Sequence, residues 1–350
     1  RVLVTGAGGS IGSELVRQVA RHAPKRLVLV DKAENALFLI DKELRDAGAH
    51  GHIMVPVIAD ITDEVRMRAV LAKHAPDVVF HAAAHKHVPM MEANPGEAVK
   101  NNVIGTKLLA DLCHEARVSR FVMISTDKAV NPTSVMGTTK RIAEQYIQAL
   151  SARSQTHFVA VRFGNVLGSN GSVVPIFKEQ IARGGPVTVT HEDMTRYFMT
   201  IPEASQLVLQ AGTMGKGGEI FVLDMGEPVK IVDLARDLIT LSGLRPGVDV
   251  QIEITGLRPG EKLFEELAVD GENVDKTKHP KIFIGRLRVV DLAALAQSLS
   301  ELATHVDDAD PAQLIASMRA LVPEYAPEAK VSMLAAVAAP AVAMSPAPVV

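Results

Sequence analysis

The sequence predicts an α/β fold: a doubly wound parallel sheet with a smaller C-terminal lobe facing the sheet's carboxyl edge. Three observations carry that prediction. Short β-branched runs alternate with helix-length amphipathic segments, a glycine-rich turn links the first strand to the first helix, and glycine and proline become frequent after residue 162. Strand, helix, strand repeated in this way demands right-handed crossovers, and these place helices on both faces of a parallel sheet.

Buried strands are expected at 2–4, 26–31, 52–58, 77–81, 120–125 and 157–162, with amphipathic helices near 11–21, 34–47, 64–73, 99–115 and 135–152. A further strand at 219–223 is expected beyond them. The implied organisation is a first domain over 1–163 with a later contribution near 219–224, a lobe mainly over 164–290, and a helical segment over 291–327. The Ala/Pro-rich stretch 328–350 is expected to be a disordered tail, because Pro340, Pro346 and Pro348 break a helix and alanine buries little surface.

At 350 residues the chain can bury a large core without staples, and its net charge of −3 is spread over interspersed acids and bases. That balance gives no footprint for nucleic acid or for an anionic membrane surface. The single cysteine, Cys113, excludes an internal disulfide and a cysteine zinc site, which suits a reducing cytoplasm. His85 and His87 alternate as on an extended segment and lack acids at ligand spacing, so no metal is expected. No run is both long and apolar enough to span a bilayer, so no membrane contact by these residues is expected. Arg1 stands inside the first strand with no methionine before it, and the expectation is a piece of a longer protein.

The turn after the first strand reads Thr5-Gly6-Ala7-Gly8-Gly9-Ser10-Ile11-Gly12 and opens a helix. Gly6, Gly9 and Gly12 permit a tight turn, close backbone approach to a pyrophosphate and close helix packing, while the helix N-terminus supplies unpaired N–H donors. Asp31 closes the second strand near the spacing of a ribose-binding acid in Rossmann folds, and its charge favours NAD over NADP, a preference that Lys32 weakens slightly. Asp60 is placed to accept from the adenine amino group or to cap a helix, a role that Thr62 or Asp63 fills equally well.

The fifth strand ends in Ser125-Thr126-Asp127-Lys128, and Met136 and Lys140 share one face of the next helix. With the glycine turn, this arrangement resembles the extended short-chain dehydrogenase/reductase superfamily. Its usual Tyr-x-x-x-Lys pair is here Met136-Gly137-Thr138-Thr139-Lys140, and the Thr-Asp-Glu of its sugar-nucleotide dehydratases is here Thr126-Asp127-Lys128. Both departures resemble the polysaccharide-biosynthesis, CapD-like UDP-N-acetylglucosamine 4,6-dehydratases, in particular their long membrane-anchored form with methionine in place of tyrosine. Segments 81–89 (His-Ala-Ala-Ala-His-Lys-His-Val-Pro), 125–133 (Ser-Thr-Asp-Lys-Ala-Val-Asn-Pro-Thr) and 258–262 (Arg-Pro-Gly-Glu-Lys) carry the resemblance, which runs from Val2 to about Arg286.

The resemblance implies NAD as cofactor, UDP-N-acetylglucosamine or a close UDP-sugar as substrate, and a homodimer or higher homo-oligomer through a four-helix contact. It also implies N-terminal transmembrane helices before Arg1 that anchor the full protein at the cytoplasmic face of the inner membrane. Oxidation at C4 acidifies the C5 hydrogen, and elimination then needs a base at C5 and an acid at the C6 oxygen. Asp127 is assigned as that acid and Lys128 as that base, which demands a protonated carboxyl and a neutral amine; Lys86 is the competing base. Since Met136 cannot take the C4 hydroxyl proton, Thr126, a water or Lys140 must relay it, with Lys140 also holding the nicotinamide ribose.

Further cofactor contacts implied by the resemblance fall to Ser10, Ile11, Ile61 and Asn102, to the run Ala82, Ala83, Ala84, and to Ser125. On the substrate side it implies Lys86, His87, Asn165, Ser172 and Val173, with Arg196 and Arg258 for the diphosphate oxygens. Glu261 and Lys262 are placed either to reach the uridine or to cap the following helix. Two rival readings are a UDP-hexose 4-epimerase, which needs no acid-base pair at C5 and C6, and a non-catalytic NAD-binding sensor.

Overall fold

The computed structural model describes residues 1–48, 53–267, 275–285, 290–307 and 310–327; the tail expected over 328–350 lies outside them. The first half alternates β1 (Val2–Thr5), α1 (Ser10–Arg21), β2 (Leu27–Asp31), α2 (Glu34–Asp46), β3 (Met54–Ile58), α3 (Glu64–His74) and β4 (Val78–His81). It continues through α4 (Val88–Ala93), α5 (Pro95–Val99), a π-helical turn (Lys100–Gly105), α6 (Thr106–Glu115), β5 (Arg120–Ile124), a 3₁₀ turn (Asp127–Ala129), α7 (Val135–Ser151) and β6 (His157–Arg162). The second half carries β7 (Asn165–Val166), α8 (Val173–Ala182), β8 (Val187–Val189), β9 (Thr195–Arg196), β10 (Phe198–Met199), α9 (Ile201–Met214) and β11 (Ile220–Leu223). Then come β12 (Val229–Lys230), α10 (Ile231–Leu241), β13 (Ile252–Ile254), β14 (Asp275–Lys276), β15 (Ile282–Gly285), α11 (Leu292–Thr304) and α12 (Ala312–Leu321).

The main sheet runs β3-β2-β1-β4-β5-β6-β11-β15-β14, parallel through β11 and antiparallel at its last two strands. Strand order reverses between β1 and β4, and a doubly wound sheet opens its ligand crevice there, beyond the carboxyl ends. One face is packed by α3, α6 and α7 over residues such as Leu3, Val28, Phe121 and Met123; the other is packed by α1, α2 and α9 over Val4, Leu29, Phe80 and Val122. Consecutive strand residues thus feed two cores, which is why these strands read as continuous apolar runs.

Across the crevice edge His81 ties β4 to its surroundings, with Nδ1 2.8 Å from the Thr5 hydroxyl and Nε2 2.8 Å from that of Thr106. Burial, with Lys140 nearby, pulls this imidazole down to about 3 and keeps it neutral. The helix expected over 99–115 is a longer run that begins at Pro95 and passes through the π-helical turn. The widened turn buries both Asn101 and Asn102, which a regular period would turn apart.

From within 164–290, the stretch expected mainly as a lobe, α9, β11, β14 and β15 return to the sheet layer. Ala204, Val208, Phe221, Leu223 and Ile282 bury on α1, β5 and β6, and this apolar burial draws them there. The remaining lobe has its own small core of Phe177, Val187, Val189, Ile231, Ala235 and Ile239, from α8, β8 and α10. On the far side α11 and α12 pack over α7 with Leu295, Leu299, Leu314 and Met318, and Arg141 on α7 pairs with Glu324 at 3.0 Å. No residue of α7 is exposed, and α11 and α12 of the same chain cover part of it. Among the described residues no helix is long and apolar enough to cross a membrane.

Candidate active site

A cavity of about 1020 Å³ opens at the carboxyl edge of the sheet, between the glycine turn, the end of β5, α7 and the lobe. Gly9, Ser10, Ile11 and Gly12 form one wall. Gly6 adopts φ +66, and a Cβ there would lie 2.7 Å from the Ala82 carbonyl carbon; a Cβ on Gly12 would lie 1.9 Å from the Gly6 oxygen. No side chain caps α1, so its first-turn N–H groups are left for a ligand. Asp31 accepts from the Gly8 and Ala33 amides at 2.9 Å, which fixes the turn against the end of β2.

Lys32 and Asp60 sit 3.6 Å apart beyond the turn, outside the cavity. Burial raises the Asp60 carboxyl, but the Thr62 amide and hydroxyl, with Lys32, outweigh it and hold it below the usual range. Asp63, not Asp60, caps α3. Ala82 and Ala84 line the cavity, whereas Ala83 packs on the core and Ile61 and Asn102 lie inside it. The Asn102 amide grips the His85 backbone, accepting from its N–H at 2.8 Å and donating to its carbonyl at 3.0 Å. Asn102 therefore shapes the 82–87 segment instead of reaching a ligand.

The reacting end is built by the turn after β5. Thr126 and Lys128 line the cavity; Asp127 lies behind them, with its side chain 0% exposed. Its Oδ1 accepts from the Thr126 hydroxyl at 2.8 Å and from Lys128 Nζ at 3.0 Å, while Oδ2 is buried without a hydrogen-bond partner among the described residues. The sequence placed carboxyl and amine side by side on the ligand; the structure brings only the amine to the wall, because the 3₁₀ turn directs Asp127 inward against Gly164.

Lys128 Nζ also donates to Asn165 Oδ1 at 3.2 Å and pairs with Glu265 Oε1 at 3.3 Å. Burial alone would favour the neutral amine, but the Asp127 and Glu265 charges outweigh it and hold Lys128 above the usual lysine range. The resting group is an ammonium, not the neutral base assigned from sequence. Glu265 was not singled out by the sequence. Its carboxyl is pushed up by burial, against the pull of Lys128, and Oε2 has no hydrogen-bond partner among the described residues.

On α7, Met136 is 3% exposed and Lys140 5%, and both line the cavity. Burial lowers Lys140 to about 8, against the raising influence of Glu144. The Ser125 hydroxyl donates to Glu144 Oε1 at 2.7 Å, and Glu144 is gripped by Arg162, Nε at 2.8 Å and Nη2 at 2.7 Å. Ser125 thus lines the cavity with its hydroxyl tied to the Arg162–Glu144 pair.

Lys140 has a stability consequence. A lysine whose pKa is about 8 when folded and 10.5 when exposed costs most below pH 8, where it stays charged in the core; the cost fades between pH 8 and 10.5 as both states become neutral. Lys140→Met is expected to raise stability at pH 7 by on the order of 2–3 kcal/mol, with the gain vanishing by about pH 10.5. Thermal unfolding across that pH range checks it, and a constant difference would contradict the buried ammonium.

On the lobe side, Asn165, Ser172, Val173, Arg196, Arg258 and Glu261 reach the cavity, and Lys86 and His87 stand at its rim. Burial pulls Lys86 below the usual lysine range. Ser172 precedes α8, with its hydroxyl unpartnered among the described residues. Arg196 is spoken for: Nη1 donates to the Thr195 carbonyl at 2.7 Å and Nη2 to that of Lys262 at 2.7 Å, so it clamps the 258–265 segment to β9 instead of offering a free fork. Arg258 is exposed and pairs with Glu261 at 3.0 Å. Lys262 donates to the Val130 carbonyl at 2.9 Å, tying that segment to the chain just after the 3₁₀ turn.

Comparison with known proteins agrees with this layout. The family described as polysaccharide biosynthesis protein matches residues 2–287. The chain is 58% identical over 287 residues to the capsular polysaccharide biosynthesis protein CapD of Staphylococcus aureus, covering 82% of this chain and 48% of that one. It is 34% identical to a UDP-N-acetylglucosamine 4,6-dehydratase (inverting) of Campylobacter jejuni, over 75% of this chain and 76% of that one, and 33% identical to a UDP-glucose 4-epimerase of Rickettsia canadensis, over 79% and 80%. The X-ray structure of Pen from Bacillus thuringiensis superposes with a TM-score of 0.75 at 35% identity, covering 81% of this chain and 85% of that one. The chain spans about half the length (48%) of CapD of Staphylococcus aureus and of the probable polysaccharide biosynthesis protein EpsC of Bacillus subtilis, to each of which it is 58% identical.

Proposed function

Because the chain belongs to the polysaccharide biosynthesis protein family, we propose that it is an NAD-dependent nucleotide-sugar 4,6-dehydratase acting on UDP-N-acetylglucosamine. The observation that carries this reading is the catalytic turn: an amine on the cavity wall 3.0 Å from a buried carboxylate, with a threonine hydroxyl 2.8 Å from the same oxygen. Dehydration needs a base and an acid around C5 and C6, and 4-epimerisation needs neither. The similarity to an epimerase favours that second reading, but it leaves Asp127 and Lys128 without a task.

The glycine turn fits NAD, since a Cβ at Gly6 or Gly12 would collide with the Ala82 or Gly6 backbone and break the tight turn that holds the uncapped α1 N-terminus at the cavity wall. When bound at this turn, NAD would supply the hydride acceptor for C4 and the hydride donor for C6. Lys140 holds the nicotinamide ribose, and Asp31 keeps a free lone pair on each oxygen for the adenosine ribose. With methionine at 136, Thr126 receives the C4 hydroxyl proton and passes it to Asp127 across their 2.8 Å hydrogen bond. Asp127 is then the acid the sequence assigned, and the same hydroxyl returns its proton to the departing C6 oxygen. Lys128 removes the C5 proton and later restores it. Asn165, Ser172 and Arg258 orient the sugar diphosphate.

The test is direct. The chain incubated with NAD and UDP-N-acetylglucosamine should yield a product lighter by one water. An isomer of unchanged mass would establish the epimerase, and NAD binding without turnover would establish a sensor.

A further inference from the structure

Lys128 must be neutral to remove the C5 proton, yet it rests as an ammonium between two carboxylates. The Thr126 relay hands Asp127 the C4 proton, so Asp127 is not free to take one from Lys128 as well. Only one other carboxylate lies within ion-pair distance of this amine among the described residues, and it is Glu265, 3.3 Å away. Its side chain is 3% exposed, and its second oxygen is buried with no hydrogen-bond partner. Arg196 Nε stands 3.7 Å from the engaged oxygen, held by backbone carbonyls and unable to swing away. The charges of Lys128 and Arg196 favour the ionised carboxylate, but burial, with the Asp127 charge nearby, outweighs them and raises its affinity for a proton.

We propose that Glu265 is a positioning residue that stores the Lys128 proton during turnover. The inference rests on the dehydratase reading. Before C5 is attacked, Nζ transfers one proton to Glu265, leaving a neutral amine and a neutral carboxylic acid. The amine takes the C5 proton, and the C6 hydroxyl departs as water with the proton held by Asp127. After hydride reaches C6, the ammonium returns its proton to C5. Glu265 then gives back the stored proton, and the cluster regains its starting charges. No proton crosses to bulk water, so turnover is insulated from solvent pH around neutrality.

Glu265→Gln keeps the side chain's shape and removes the store; Glu265→Asp keeps a carboxyl on a shorter stem. For Glu265→Gln, kcat at pH 7 should fall about 100-fold with the substrate KM changed less than about threefold. Activity should then climb with pH, because Lys128 must lose its proton to solvent. Glu265→Asp should recover part of the loss with a flatter profile. A uniform loss at every pH, or no loss, overturns the proposal. Nitrogen NMR of the Lys128 Nζ in the NAD-bound chain separates this from failure of the dehydratase reading. Lys128 should titrate lower in Glu265→Gln than in the parent whatever product is made, and an unchanged titration would also overturn the proposal.

Discussion

Asp127→Asn and Lys128→Ala should each lower turnover of UDP-N-acetylglucosamine by about 10²–10⁴-fold, the range expected when one member of an acid-base pair is lost. The two variants should differ in what survives. Asparagine keeps an oxygen for the Thr126 hydroxyl and Lys128 Nζ, so the turn retains its shape, but it cannot store the C4 proton. Oxidation at C4 should stall in that variant. Lys128→Ala should leave the C4 relay intact and lose only the proton removal at C5, so that bound NADH accumulates with a 4-keto sugar. Absorbance at the reduced nicotinamide band in a single turnover reads both, and wild-type turnover in either variant would refute the assignment.

Arg162→Met should destabilise the chain by about 3–5 kcal/mol, since removing one partner of a fully buried pair strands the other charge. Arg162 and Glu144 are both 0% exposed, joined by two hydrogen bonds of 2.8 and 2.7 Å. The pair stands between β6 and α7, directly beneath Ser125, and it orients the helix that carries Met136 and Lys140. The double variant Arg162→Met with Glu144→Leu should recover most of the loss, because two apolar groups of similar volume replace the pair. Urea unfolding of the parent and both variants measures this. A single variant as stable as the parent would mean the pair contributes little to holding α7 in place.

The sheet was legible because its inner parallel strands are buried on both faces and therefore largely apolar. The glycine turn was legible because close backbone approach tolerates no other residue at Gly6 and Gly12. Neighbours in sequence misled at the site: adjacency of Asp127 and Lys128 suggested two groups on one ligand, but Asp127 lies behind the wall, where it accepts from Thr126 and Lys128. Gly137 gave no signal of its own, although a Cβ there would lie 2.1 Å from the Lys128 carbonyl oxygen and would push α7 off the catalytic turn. Glu265 was hidden because its partners are 137 and 69 positions away, at Lys128 and Arg196. Pairing over such distances leaves no local pattern. The cover over α7 was missed for the same reason: α11 reads as an amphipathic helix, and nothing local says which surface it docks on.

The measurement that bears most directly on the whole account follows isotopes through one reaction. With substrate deuterated at C4 and the reaction run in ordinary water, the label should appear at C6 of a product that has lost one water. In heavy water with unlabelled substrate, solvent deuterium should appear at C5 of most product molecules, because the abstracted hydrogen mixes with the already exchanged hydrogens of the Lys128 amine before one is returned. Label retained at C4 in an isomer of the starting sugar, with no solvent hydrogen at C5, would contradict the claim that this site oxidises C4 in order to eliminate across C5 and C6.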